Sequence, residues 1–312
     1  MTRLSFRRTT RPRQPLLPLL PNEPRLLQSA REKALTTRFL QPAWADLERL
    51  FVWLRGELDG PLREQRPDKL GKPYPLGQCL EISQAMEKRL ARLNGEALAG
   101  SEAEPGYRAL RAFIDHGGTL RQVWGDLRGQ YFQNAFLLGD CYLDVANDTV
   151  DAAKPPVELL PFAESGLVPI RDYAHFTRVA ERYWQARVLP NHLLPELAPY
   201  FPLVVIQPGG RAQLHGLFDY LISLTCRGAF QPSEAALKAP PLDAAVFTRL
   251  REGVDPALTL PASPRDGREQ ALAACRRARK AGRHQDVAAR NAAVKSALAV
   301  NGQLARLQVL PS

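Results

Sequence analysis

The chain has 312 residues, of which 42 are basic and 32 acidic, giving a formal charge of +10. Its length suits one large or two modest domains at roughly 100–200 residues each, and its 45% hydrophobic and 24% charged content is ordinary globular usage. No apolar run approaches the ~18 residues of a membrane-spanning helix, so no membrane partner is expected.

Cys79, Cys141, Cys226 and Cys275 show no C-x-x-C spacing. That argues against a zinc site or a disulfide framework and suits a reducing, cytoplasmic setting. The phosphate-binding patterns G-x-x-x-x-G-K-[ST] and G-x-G-x-x-G are missing, and no cofactor or metal ligand set is expected.

The charge is unevenly placed. Residues 1–27 carry six Arg against Glu23, and residues 263–312 carry eight Arg and two Lys against three acids. The stretch 28–262 holds 26 basic and 28 acidic residues, so the excess belongs to the ends. Residues 1–27 read as a flexible, Pro-rich basic tail. Residues 263–312 read as a basic helical segment of two helices broken at Gly282 and Gly302, with Arg276, Arg277, Arg279, Lys280 and Arg283 clustered. Nucleic acid or an acidic partner is the chemistry such ends attract.

Between the ends, Trp44, Leu47, Leu50, Phe51 and Leu54 recur at helical spacing and predict a helix over 43–58. A polar linker with Pro and Gly follows over 59–75. Helices are predicted at 78–93 and 106–115, the second ending at His116-Gly117-Gly118. Apolar, aromatic and β-branched residues then predict strands near 119–124, 131–138 and 141–146, the last two joined by a Gly139-Asp140 turn.

Helical patterns resume at 172–187 and 211–226, separated by the short apolar run 203–207, a strand or buried turn; Gln207-Pro208-Gly209-Gly210-Arg211 after it reads as a strand-to-helix loop or an anion-binding turn. Residues 228–262 read as a Pro-rich linker with a short helix at 242–252. The whole is an α+β chain, helices flanking a small antiparallel sheet, with the globular core over 28–227.

One constellation carries chemistry. Tyr74-Pro75-Leu76-Gly77-Gln78-Cys79 opens a helix. A thiol there meets unpaired backbone N–H groups, an environment that lowers its pKa. The hairpin that follows brings Gln133, Asn134, Asp144, Asn147 and Asp148 to one end.

Over residues 74–151 this order of elements resembles the transglutaminase-like branch of the papain-like cysteine hydrolases. The resemblance implies a papain- or transglutaminase-like core, with Cys79 as nucleophile and Asp144 or Asp148 as the orienting acid. The family's His falls on Asn134, in Asn134-Ala135-Phe136. An amide cannot take the thiol proton at neutral pH. Either His116 serves as base, or the chain is an inactive relative whose Gln78, Gln133, Asn134 and Asn147 bind an amide-bearing peptide or protein. The alternative function is an interaction protein acting through its basic ends.

Overall fold

The computed structural model describes residues 18–26, 30–215 and 219–309. A short helix α1 (Ala30–Leu35) leads through tight turns into α2 (Trp44–Gln65). Leu47, Leu50, Phe51 and Leu54 bury one stripe of α2 as their spacing predicts. The helix does not stop at residue 58. It runs on through Pro61, whose missing N–H costs one backbone bond on an exposed face, because Leu58 and Leu62 still pack against the core. What remains of the expected linker folds into a small hairpin of β1 (Asp68–Lys69) and β2 (Lys72–Pro73).

Helix α3 (Cys79–Ala91) buries Cys79, Ile82, Ser83 and Met86, and α4 (Glu104–Asp115) buries Gly106, Leu110 and Phe113. At Gly106, α4 lies so close to α2 that a Cβ would press into the Asp46 carbonyl. These three helices pack on one face of an antiparallel sheet of β3 (Leu120–Leu127), β4 (Tyr131–Leu138), β5 (Cys141–Asp144), β6 (Glu158–Pro161) and β7 (Leu167–Val168), in the order β6-β5-β4-β3-β7. Gly139 supplies the positive φ that the β4–β5 turn requires. A four-residue helix, α5 (Phe162–Ser165), separates β6 from β7.

Helix α6 (Tyr173–Tyr183) packs Phe176 against Phe132 of β4. A second sheet, β8 (Arg187–Pro190), β9 (Leu203–Ile206) and β10 (Ala212–His215), is antiparallel throughout, ordered β10-β9-β8. The helix predicted for 211–226 is therefore divided: Ala212 and Leu214 alternate into the core as strand residues, and the helix α7 (Asp219–Arg227) follows. Gly209 and Gly210, both at positive φ, fold β10 back on β9, so 207–211 is a hairpin turn between strands rather than an entry to a helix.

The Pro-rich stretch 228–262 is not a linker. It forms α8 (Gln231–Leu237) and α9 (Ala244–Glu252), and Leu237, Leu242, Val246, Phe247 and Leu250 share a core with α10 (Pro264–Lys280) and α11 (Val287–Leu304). Prolines here sit in helix first turns and between helices, where no N–H is needed. Helices α10 and α11 are capped by Ser263 and Asp286, and Gly282 lies in the break between them; Gly302 stays inside α11.

Much of the basic cluster is neutralised within the fold, with Arg276 and Arg279 on Glu234 and Arg277 on Glu196. The tail expected over 1–27 falls partly outside the described residues. Its described part, 18–26, is anchored by Leu20 in the core and by the Asn22 carbonyl accepting from Trp124 N–H.

Candidate functional site

Cys79 sits at the first turn of α3, only 8% exposed. The Asn134 side-chain amide donates to its sulfur at 3.4 Å, and the Ser83 hydroxyl donates to the Asn134 carbonyl at 3.3 Å. Loop and hairpin are tied by Gly77 N–H donating to the Thr149 carbonyl at 2.8 Å. The structure thus joins Cys79 and Asn134, the two positions that the resemblance set together.

The electrostatics run against an activated thiol. Burial raises the Cys79 pKa, and the Asp144 charge adds to it, while the Asn134 donors and Lys69 pull only partly the other way. The lowering expected from a helix start is outweighed by desolvation. Cys141, Cys226 and Cys275 are pushed up by burial too, to about 12, 11 and 12, and all four cysteines are free.

Asp144 is not beside Asn134. Phe136 pairs with Leu143 and Leu137 with Tyr142, so the same register carried two residues further sets Val145 across from Asn134. Val145 and Cys79 lie in one apolar cluster, on the helix-bearing face. Asp144 points to the opposite face, because successive strand residues alternate sides. There it accepts from Gln133 Nε2 at 2.7 Å, the Tyr142 hydroxyl at 2.8 Å and Ala146 N–H at 2.8 Å. Burial lifts its carboxyl to about 6 despite those three donors. Gln133 belongs to this second group, and its amide also donates to the Ala146 carbonyl.

Asp148 is committed elsewhere. Both of its oxygens are held by the fully buried Arg55, at 2.9 and 3.0 Å, and Arg55 also bonds Asp59 at 2.7 Å and the Val145 carbonyl at 2.8 Å. The Tyr74 hydroxyl donates to Asp59 at 2.5 Å, so this network fixes the loop that leads to Cys79. Asp148 is a structural anchor, not an orienting acid.

His116 is no base for Cys79. It caps the exposed end of α4, with its ring nitrogen 2.7 Å from the Ala112 carbonyl and its ring against Phe39. That is the Leu120–Leu138 end of the β3–β4 ladder, four pairs or about 13 Å along the strands from Asn134. Gln78 donates its amide to the Arg66 carbonyl, and Asn147 to that of Pro155.

Other contacts were not foreseen from the sequence, which marked Tyr183 only as part of a helical stripe and His175 only as a packed or surface histidine. Tyr183 and Tyr131 meet edge to face at 5.4 Å, with Lys72 over the Tyr183 ring and Lys154 over Tyr131. Burial pushes the Tyr183 phenol up. On the same face of β3, Asp126 bonds His175 Nε2 at 2.7 Å, while His175 Nδ1 accepts from Arg171 N–H. That histidine ties α6 to the sheet. An Arg at the edge of the Leu47–Leu54 apolar stripe was the available signal for the Arg55 network; nothing in the spacing distinguished Val145 from Asp144.

Among the described residues no group of three or more His, Cys, Asp and Glu side chains could hold a metal ion, and no helix is long and apolar enough to cross a membrane. No protein-family model, curated protein or solved structure matches the chain.

Proposed function

We propose that the chain is a non-catalytic relative of the transglutaminase-like cysteine hydrolases, built on their kind of core, that binds an amide-bearing peptide or protein segment at the Cys79–Asn134 end without cleaving it. The observation that carries this reading is the Asn134 amide donating to the sulfur from the position a base would occupy. A side-chain amide donor can hold a thiol but cannot deprotonate it. Asp144 faces away from Asn134 and Asp148 is held by Arg55, so on this reading neither acid would orient a base. The Tyr131–Tyr183 pair, with Lys154 and Lys72 over its rings, offers aromatic and charged surface to a peptide.

The test is retention of a bead-displayed random peptide library by the full chain, with amine release followed in parallel. Peptides recovered intact, with amine release no greater than from a Cys79→Ala variant, are the expected result. Release above that background contradicts it, and so does retention unchanged by Tyr183→Ala with Lys154→Gln.

The second reading, binding of nucleic acid or an acidic partner through the basic ends, is favoured by one observation. Lys280, Arg283, Arg290, Lys295 and Arg306 have no ion-pair partner among the described residues. Helices α10 and α11 supply core, so the test is charge removal and not truncation. On this reading, Lys280→Gln with Arg283→Gln and Lys295→Gln lowers salt-sensitive retention on nucleic acid.

A further inference from the structure

Residues 18–26 lie against the edge of β3 and fold as a turn closed on itself. The Glu23 N–H donates to the Leu20 carbonyl at 3.0 Å, with Pro21 second in the turn and Asn22, at a φ of 56°, third. Pro followed by Asn at positive φ makes a type II turn. The Glu23 carboxylate locks it, accepting from the Leu20 N–H at 2.7 Å and from Arg25 Nε at 2.8 Å. The Arg25 N–H donates to the Glu23 carbonyl, and Pro18, Pro21 and Pro24 carry no N–H. Few backbone donors are left for a strand ladder.

The segment therefore docks on β3 without extending the sheet. β7 pairs with β3 only at Asp126 and Leu127. Nearer the start of β3 the segment takes over, with the Trp124 N–H donating to the Asn22 carbonyl at 2.7 Å. Its other contacts are with side chains. Arg121 donates to the carbonyl of Glu23 at 2.8 Å and to that of Arg25. Arg227, at the end of α7, donates to the Pro18 carbonyl at 3.1 Å and stands 3.6 Å from the Glu23 carboxylate. Leu20, only 5% exposed, joins the apolar cluster of Trp124 and Tyr220, and Pro24 sits where a Cβ on Gly125 would meet its ring.

These contacts have the form of a receptor and a bound peptide. β3 and α7 supply an outward N–H, two guanidinium groups, an apolar seat and a glycine that admits a ring. The turn keeps its own hydrogen bonds, so it can leave or arrive as a preorganised unit. The two arginines favour an acidic turn over a basic one.

We propose that the edge of β3 over residues 121–125 is a recognition site for a type II turn with an apolar first residue and a glutamate three residues later, held in cis by residues 18–26 and filled in trans by such a turn of a partner protein. The site is separate from the Cys79–Asn134 reading and does not rest on it.

The experiment uses the full chain and a fluorescently labelled peptide of residues 18–26, with binding followed by anisotropy. Leu20→Ser with Glu23→Ala unlocks the turn in cis and leaves Arg121, Arg227 and Trp124 in place. That variant binds the peptide at least about 10-fold more tightly than the wild-type chain, whose site is free only while its own segment is away. A peptide carrying the same two changes does not bind. Equal affinities of the two chains, or of the two peptides for a variant whose β4 amides stay protected, overturn the site.

Because loss of a buried leucine can unfold a chain, hydrogen exchange is also measured on the wild-type protein. The Trp124 amide exchanges by local release of the segment, about 10-fold or more faster than the amides joining β4 to β5. Exchange as slow as theirs shows a segment that does not leave, and overturns the proposal. A wild-type dimer that the free peptide disperses in sedimentation gives the site to a second copy, and overturns the partner alone.

Discussion

The two faces of β4 carry polar groups of opposite character. On the helix-bearing face, Asn134 donates to a thiol whose pKa burial has raised. On the other, Gln133, Tyr142 and the Ala146 N–H all donate to Asp144, a carboxylate that burial holds at about 6. Neighbours in sequence therefore serve separate networks: the Asn134 amide cannot take a proton from Cys79, and the Asp144 carboxylate faces away from it. Proximity along a strand is a poor guide to shared chemistry, because the pleat sends adjacent residues to opposite sides.

The sharpest way to break the comparison is through Arg55. It anchors the loop leading to Cys79, and its removal leaves Asp148 and Asp59 without their buried counter-charge. Arg55→Ala is expected to cost about 3–5 kcal/mol in denaturant unfolding. A loss below ~1 kcal/mol would show that the network does not hold this end together.

Asp144 gives the next largest effect, and it is pH-dependent. Its folded pKa of about 6 lies above the ordinary 3.8, so the folded chain binds this proton more tightly than the unfolded one. The group favours folding most below its unfolded pKa, and that contribution is lost as pH rises through about 6, a change of about 3 kcal/mol. Asp144→Asn should remove that component from the stability–pH curve, since Gln133 Oε1 has no hydrogen-bond partner among the described residues and can turn to accept from the introduced amide. Parallel curves for the two proteins between pH 4 and 7 would contradict the assignment.

A smaller effect tests the helical layer over the first face. Gly106→Ala pushes a methyl group into the Asp46 carbonyl where α4 crosses α2. Overpacking of that kind costs about 1–3 kcal/mol, read as a lower denaturation midpoint. A neutral result would mean that the two helices separate freely.

Much of the scaffold was legible in the sequence. The Leu47–Leu54 stripe marked α2, the spacing of Leu80, Ile82, Ala85, Met86 and Leu90 marked α3, and Gly139-Asp140 marked the β4–β5 turn. The pairing of Cys79 with Asn134 was what the family resemblance implied. The remainder depended on tertiary register. Whether Asp144 or Val145 faces Asn134 is a one-residue question that spacing cannot resolve. Leu214, Leu217 and Leu221 suit a helix by period, yet Leu214 was taken by a strand pairing with β9. The prolines of 228–262 suggested a linker because their places in helix first turns depend on partners far along the chain.

The central claim is that Cys79 is a held thiol and not a nucleophile, and its most direct test is the pH–rate profile of Cys79 alkylation in the native wild-type chain. The account predicts labelling that stays slower than at the half-buried Cys226 from pH 6 to 9 and rises only with the fraction of a high-pKa thiolate. A fast plateau reached by pH 7, with Cys79 labelled ahead of Cys226, would reveal an activated nucleophile and contradict the account.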